Sequence, residues 1–224
     1  LFLILFLFLQ TTATGQSSEK QRSAFFTYQF QQIDLDGFNR QAEDLGYPGL
    51  RNSINEFGYT FQERDNRWVS SFGLNAGFGT HPDERPGSRE ARYRPSGARL
   101  QITYSLLASP DWILGPTVTT NLQHNRITLN EGTPGGLLTQ AVEADYLRLT
   151  TWETPIQLGF TVQRALGTGT NSNRFVLGLN AGYTLADGDE WRVDDAVPFS
   201  SPGIDLSGWF GAVRIGFELN GKKE

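Results

Sequence analysis

Eight stretches of this chain alternate strictly between an apolar face and a face of small or polar residues, and the lysines Lys20, Lys222 and Lys223 all stand near the chain ends. The last stretch is the clearest. Trp209, Gly211, Val213, Ile215, Phe217 and Leu219 share one parity; Phe210, Ala212, Arg214, Gly216 and Glu218 share the other. Successive side chains of a strand point to opposite sides of a sheet. One side is therefore oily, and the other holds glycines, an arginine and a glutamate. A sheet in water usually dresses its wet side with lysine and glutamate. A lysine-free oily side paired with a sparse polar side suits a barrel turned inside out, with hydrocarbon outside and a polar lumen.

The same period predicts strands over 24–33, 54–62, 68–79, 99–107, 112–127, 147–164, 174–185 and 209–219. The parity of the sixth slips near Thr150 and Thr151, which predicts a bulge. Connections 64–67, 109–111 and 166–173 are short and rich in turn formers; 36–53, 80–97, 130–145 and 187–206 are long. Short turns alternating with long loops are the habit of outer-membrane barrels, and an even strand count leaves both termini on the periplasmic side. The expected fold is all-β: an eight-stranded antiparallel up-and-down transmembrane β-barrel.

The run Leu1 to Leu9 is apolar but too short to cross a bilayer, which takes about 20 residues. It fits the core of a secretory signal, with Ala13 and Gly15 as the small residues before a cleavage point at Gln16. With no methionine in the chain, the signal is expected to be truncated. The expected organisation is a truncated signal at 1–15, a periplasmic segment at 16–23, the barrel at 24–219 and a periplasmic tail at 220–224. A net charge of −5 argues against nucleic acid as partner. Absence of cysteine excludes disulfides and thiolate metal sites.

Aromatics gather at strand ends, as a bilayer interface selects. Phe61, Trp68, Trp112, Phe175 and Phe217 are expected at the inner rim, and Phe57, Phe78, Trp152, Tyr183 and Trp209 at the outer rim. Two local stretches add a resemblance. Phe38-Asn39-Arg40-Gln41-Ala42-Glu43-Asp44-Leu45-Gly46-Tyr47-Pro48-Gly49-Leu50 is a short helical segment ending in a Gly-Tyr-Pro turn; Tyr146-Leu147 is followed by Glu153-Thr154-Pro155-Ile156. In these the chain resembles the small outer-membrane β-barrel domain of Gram-negative bacteria, in the porin-family and OmpX-like group. The resemblance implies a Gram-negative cell envelope and that fold, and carries over no catalytic residue. The chain departs from the group in its end: Phe217 is followed by seven more residues where many members stop on an aromatic.

Eight strands enclose an interior that side chains fill. A plugged polar lumen is expected from Glu56, Arg99, Gln101, Asn121, Glu153, Gln157, Arg174, Asn180, Arg214 and Glu218, with Arg174 and Glu218 meeting low on adjacent strands. Charges there must be paired, because an isolated buried ion is costly. The main functional expectation is a non-enzymatic barrel with an envelope-structural, binding or adhesion role through its outer loops, without cofactor or metal. Its expected partners are outer-membrane lipid and lipopolysaccharide, the barrel-assembly machinery during insertion, and an extracellular protein through the loops. Three alternatives stand beside it. One is a lipid-modifying enzyme, with His124 as first suspect and His81 the other histidine. Another is a narrow porin. The third is a soluble lipocalin-like barrel, which swaps the two faces and puts Arg214 and Asn180 in water with Leu177 and Ile215 inside. The carboxylate pairs Glu56 with Glu153 and Asp194 with Asp195 lack any sign of a glycosidase cleft. Arg85, Arg89, Arg92 and Arg94 in 80–97 suit the phosphates of lipopolysaccharide through their guanidinium forks, but they stand among Asp83, Glu84 and Glu90, so an ordinary solvated loop is the expectation.

Overall fold

A computed structural model describes residues 20–80, 89–130, 146–167, 174–187, 190–193, 197–200 and 203–219. The expected signal at 1–15 and tail at 220–224, with His81, Arg85, Asp194 and Asp195, lie outside the described residues. The elements in chain order are β1 Gln21–Gln32, α1 Asp36–Asp44, β2 Ser53–Asp65, β3 Trp68–Thr80, β4 Glu90–Tyr104, β5 Trp112–Asn130, β6 Tyr146–Glu153, β7 Ile156–Leu166, β8 Phe175–Leu185, β9 Glu190–Val193, β10 Val197–Ser200 and β11 Gly208–Leu219.

Every neighbouring pair is antiparallel, and β1 pairs with both β2 and β11, so the sheet closes into an eight-stranded barrel. The pairings give its stagger. From Thr27 one route runs through Gly58, Asn75 and Gly97 to Gln123 on β5. The opposite route runs through Arg214, Gly178 and Gln163 to Ile113 on the same strand, ten residues away. Such a stagger tilts the strands by about 40° and leaves a lumen that side chains can fill. Turns at one end are tight. Asp65 and Trp68 are joined by two residues, of which Asn66 has φ 55°, the left-handed conformation a two-residue hairpin needs and asparagine tolerates. We call this the turn end and the other the loop end.

Three expectations are corrected. There is no bulge at Thr150 and Thr151. β6 and β7 form one stave against β5, and the pairs Gln123 with Glu153 and Thr120 with Ile156 keep a single offset. The stave is interrupted instead at Pro155, which has no N–H to give; its carbonyl still accepts from the Asn121 amide at 3.1 Å. The apparent slip has another cause: Leu149 faces inward into an apolar cluster while Trp152 faces outward, 67% exposed. Second, the segment 80–97 is not all loop, because β4 begins at Glu90, nine residues before its predicted start; β5 likewise runs three residues on, to Asn130. Third, 187–206 contains the β9–β10 hairpin, which adds to β6 through Leu149 with Val193 and Thr150 with Arg192.

The interior has two storeys. Along the main barrel the inward residues are mostly polar. Above them, at the loop end, Ile33, Ile54, Tyr93, Ile127, Leu129, Leu149, Trp191 and Leu206 pack with Leu35, Phe38 and Ala42 around α1. The helix is held by reciprocal hydrogen bonds between the Asn39 side chain and the Leu50 backbone (2.8 and 2.7 Å), and by Asn52 donating to Asp36 at 2.8 Å. Gly46, at φ 79°, turns the chain out of the helix as a C-terminal glycine does. The helix expected within 38–50 thus begins two residues earlier and lies over the barrel mouth.

Candidate functional site

The strands enclose a lumen whose chemistry follows from parity. The inward positions bring Glu56 from β2, Arg99 and Gln101 from β4, and Asn121 and Gln123 from β5 to one level. Arg99 donates through Nη2 to Glu56 Oε2 and through Nε to Asn121 Oδ1, both at 3.0 Å. Gln123 donates to the other Glu56 oxygen at 3.3 Å. Glu56 is 3% exposed and Arg99 5%, so this is a desolvated ion pair whose spare valences are met by amides. Gly77 makes room for it, since a Cβ there would stand 2.9 Å from Glu56 Cγ.

Lower down, Arg214 is 1% exposed and hydrogen-bonds Gln101 Oε1. Gln101 in turn donates to Thr103 (3.1 Å), and a hydroxyl ladder continues through Thr117 to Thr161 at 2.8 Å each. Gln157 donates to Thr184 at 3.2 Å. At the turn end Arg174 grips Glu218 through Nε (2.9 Å) and Nη2 (2.6 Å) and also reaches Asp111. Burial works against the Arg174 charge, but these two carboxylates outweigh it and hold its pKa above the usual guanidinium value. Arg64 closes the same end by donating to the Asn66 and Trp112 carbonyls.

Of the ten lumen residues named from sequence, the structure therefore joins Glu56, Arg99 and Asn121 in one cluster, Arg214 with Gln101 in a second, and Arg174 with Glu218 in a third. Glu153 is buried, but neither of its carboxylate oxygens bonds to a described residue; Asn180 Oδ1 is likewise unmatched among them. Gln123, read as inward on the fifth strand, was left out of the expected network, and Asp111 was missed. The parity of β5 pointed to the first; the second lies in a turn, where no period applies. Sequence reading also missed the apolar storey, because it assumed one chemistry for the whole inner face. The void beside Arg99 is about 10 Å³, room for one water at most.

The outward side is the reverse. Leu179 is 54% exposed, Phe217 53%, and Ile215 and Leu177 also face out. The lipocalin-like arrangement, with these side chains inside and Arg214 and Asn180 in water, is thereby contradicted. Phe61, Trp68, Phe175 and Phe217 are exposed toward the turn end, and Trp112 carries Arg164 over its ring at 5.0 Å. Phe78, Trp152, Tyr183 and Trp209 are exposed in the other half, with Tyr183 and Trp209 edge to face at 5.3 Å. Phe57, 40% exposed, packs against Phe26, Tyr28 and Phe78. His124 stacks on Trp152 at 4.8 Å on this outward face, opposite Ser96. Among the described residues no cluster of His, Cys, Asp or Glu could hold a metal ion.

No protein-family model and no curated protein matches the sequence. Solved structures similar to it include Ail, the attachment invasion locus protein of Yersinia pestis, in complex with the heparin analogue sucrose octasulfate. That match has 11% identity and a TM-score of 0.49, covering 90% of this chain and 100% of that one. Neisserial surface protein A is similar at 14% identity and a TM-score of 0.37, covering 92% and 99%. The outer membrane protein OprG from Pseudomonas aeruginosa is similar at 14% and 0.36, covering 90% and 96%. The fold stands on the closed pairing of the strands themselves.

Proposed function

We propose that this chain is a non-enzymatic barrel of the outer membrane of Gram-negative bacteria, with a sealed lumen and a structural or binding role exerted from its loop end. One observation carries the reading: an exposed band of Phe, Leu, Val and Ile encircles a barrel whose charged and amide side chains are buried. In water that arrangement would expose the apolar band and bury ions at once; in a bilayer both choices are favourable. The ion-pair clusters and the packed cap support a plug over a solute path. The loop end, with α1 and the β9–β10 hairpin, then faces outward, and the turn end, where β1 starts and β11 stops, faces the periplasm. Contact with lipopolysaccharide at that end, and delivery by the barrel-assembly machinery, are part of the same reading; so is binding of an extracellular protein through the loops. Fractionation with detergent extraction, followed by electrophoresis with and without boiling, tests it. A detergent-requiring, heat-modifiable band is expected, and planar-bilayer recording should show no discrete conductance. Solubility without detergent would refute the proposal.

A further inference from the structure

Above the lipid-facing part of the barrel, β4, β5 and β6 continue as a sheet extended by β9 and packed on the cap through its inner face, and its outward face changes character row by row. On β5 Leu122 faces outward, 41% exposed, level with the apolar band. The next outward row is Ser96, His124 and Trp152 in register. The row above is Arg94 and Arg126, continued in register by Thr150, which is itself buried, and by Arg192 on β9; the one above that is Arg92, Thr128 and Arg148. Five arginines thus occupy two adjacent rows. Glu90 pairs with Arg92 at 2.6 Å. The sequence pattern scattered these residues between a loop and two strands; only the register assembles them.

Arg94 and Arg126 stand directly opposite each other. Cβ atoms of such a pair are about 5 Å apart, and like charges placed so repel. Arg126 Nε is buried and meets no hydrogen-bond partner among the described residues. The other face of the same strands carries Ala91, Tyr93, Ile127, Leu129 and Leu149 of the cap, so the arginine stems rise from a packed, rigid floor. A repelling pair on a rigid surface, one step above an aromatic row, is placed for a fixed anion at headgroup height. Guanidinium forks match phosphate with two parallel hydrogen bonds.

We infer that the outward face of β4–β5–β6 seats the phosphate groups of lipopolysaccharide in the outer leaflet, with Arg94 and Arg126 as the central pair. The site rests on the membrane reading above and adds a place and a ligand chemistry to it. The test uses the full chain refolded in phosphocholine micelles, wild type and R94Q/R126Q, titrated with lipopolysaccharide and with the same lipopolysaccharide after phosphatase treatment; tryptophan fluorescence follows binding. Wild type should bind the phosphorylated form about tenfold more tightly than the dephosphorylated one, the worth of one charge-assisted hydrogen bond. The variant should bind both alike, at the weaker level. Without lipopolysaccharide the variant should melt at or above the wild-type temperature, since the repelling pair is gone. Undiminished binding of phosphorylated lipopolysaccharide by the variant would overturn the inference. So would a lower melting temperature without lipid, or displacement of lipopolysaccharide by an equal concentration of inorganic phosphate. A heat-modifiable band in both proteins keeps this result separate from the barrel itself: its loss in wild type would refute the membrane reading instead.

Discussion

β4 and β5 each pass through two regions with opposite rules. In the lower region their inward residues are Arg99, Gln101, Thr119 and Asn121, while Leu100, Ile102, Val118 and Leu122 face out. In the upper region their inward residues are Ala91, Tyr93, Ile127 and Leu129, while Arg92, Arg94, Arg126 and Thr128 face out. Neither strand changes register in between: Arg99 with Asn121 and Tyr93 with Ile127 belong to one unbroken ladder. The row of Ser96, His124 and Trp152 marks the crossing. A strand has no preference for polar-in or apolar-in; the surroundings decide. Where the surroundings are hydrocarbon the oily face turns out, and where they are water the same strand carries its oily face inward onto α1 and the β9–β10 hairpin.

The comparison can be broken at several points, taken from the largest effect. Arg99→Ala strands the Glu56 carboxylate in the lower region and should cost about 3–5 kcal/mol in urea unfolding from lipid vesicles, while E56Q/R99Q should recover most of that loss. Phe38→Ala in the cap should cost a comparable ~3–5 kcal/mol, but locally. Hydrogen exchange of α1 should rise, while the heat-modifiable shift of the barrel stays intact. If the whole barrel loosened with the cap, the two regions would be one cooperative unit. Leu122→Arg and Arg126→Leu test the outward face four residues apart on one strand. The first should destabilise by about 2–4 kcal/mol in a bilayer. The second should stay within about 0.5 kcal/mol in vesicles free of lipopolysaccharide. At the boundary, a double-mutant cycle on Tyr183 and Trp209 should return a coupling of about 0.5–1.5 kcal/mol from their edge-to-face contact.

The lower region was legible from residues alone, because a period of two with oily and polar partners survives in every stave; Trp209 to Leu219 displays it without interruption. The Arg174–Glu218 pair could be foreseen because both residues stand at the ends of neighbouring strands. The Arg214–Gln101 contact could not, since it spans the lumen between strands that are not neighbours. The upper region was misread for a physical reason. Leu147 and Leu149 share the parity of Glu153, while Trp152 and Ile156 have the other; with one environment assumed throughout, the pattern demands a bulge. With two environments it demands none. The arginine rows stayed invisible for a related reason: Arg94, Arg126 and Arg192 are far apart in sequence, and only the ladder sets them side by side.

The chain has no cysteine, so each one introduced is unique. The most direct test places single cysteines at Val118, Leu122, His124, Arg126 and Thr128, attaches a nitroxide spin label to each, and measures its collision with oxygen and with a water-soluble nickel chelate in reconstituted vesicles. The account predicts an abrupt exchange along one face of β5: oxygen-rich and chelate-poor at 118 and 122, intermediate at 124, chelate-accessible at 126 and 128. Uniform chelate access along all five positions would contradict it.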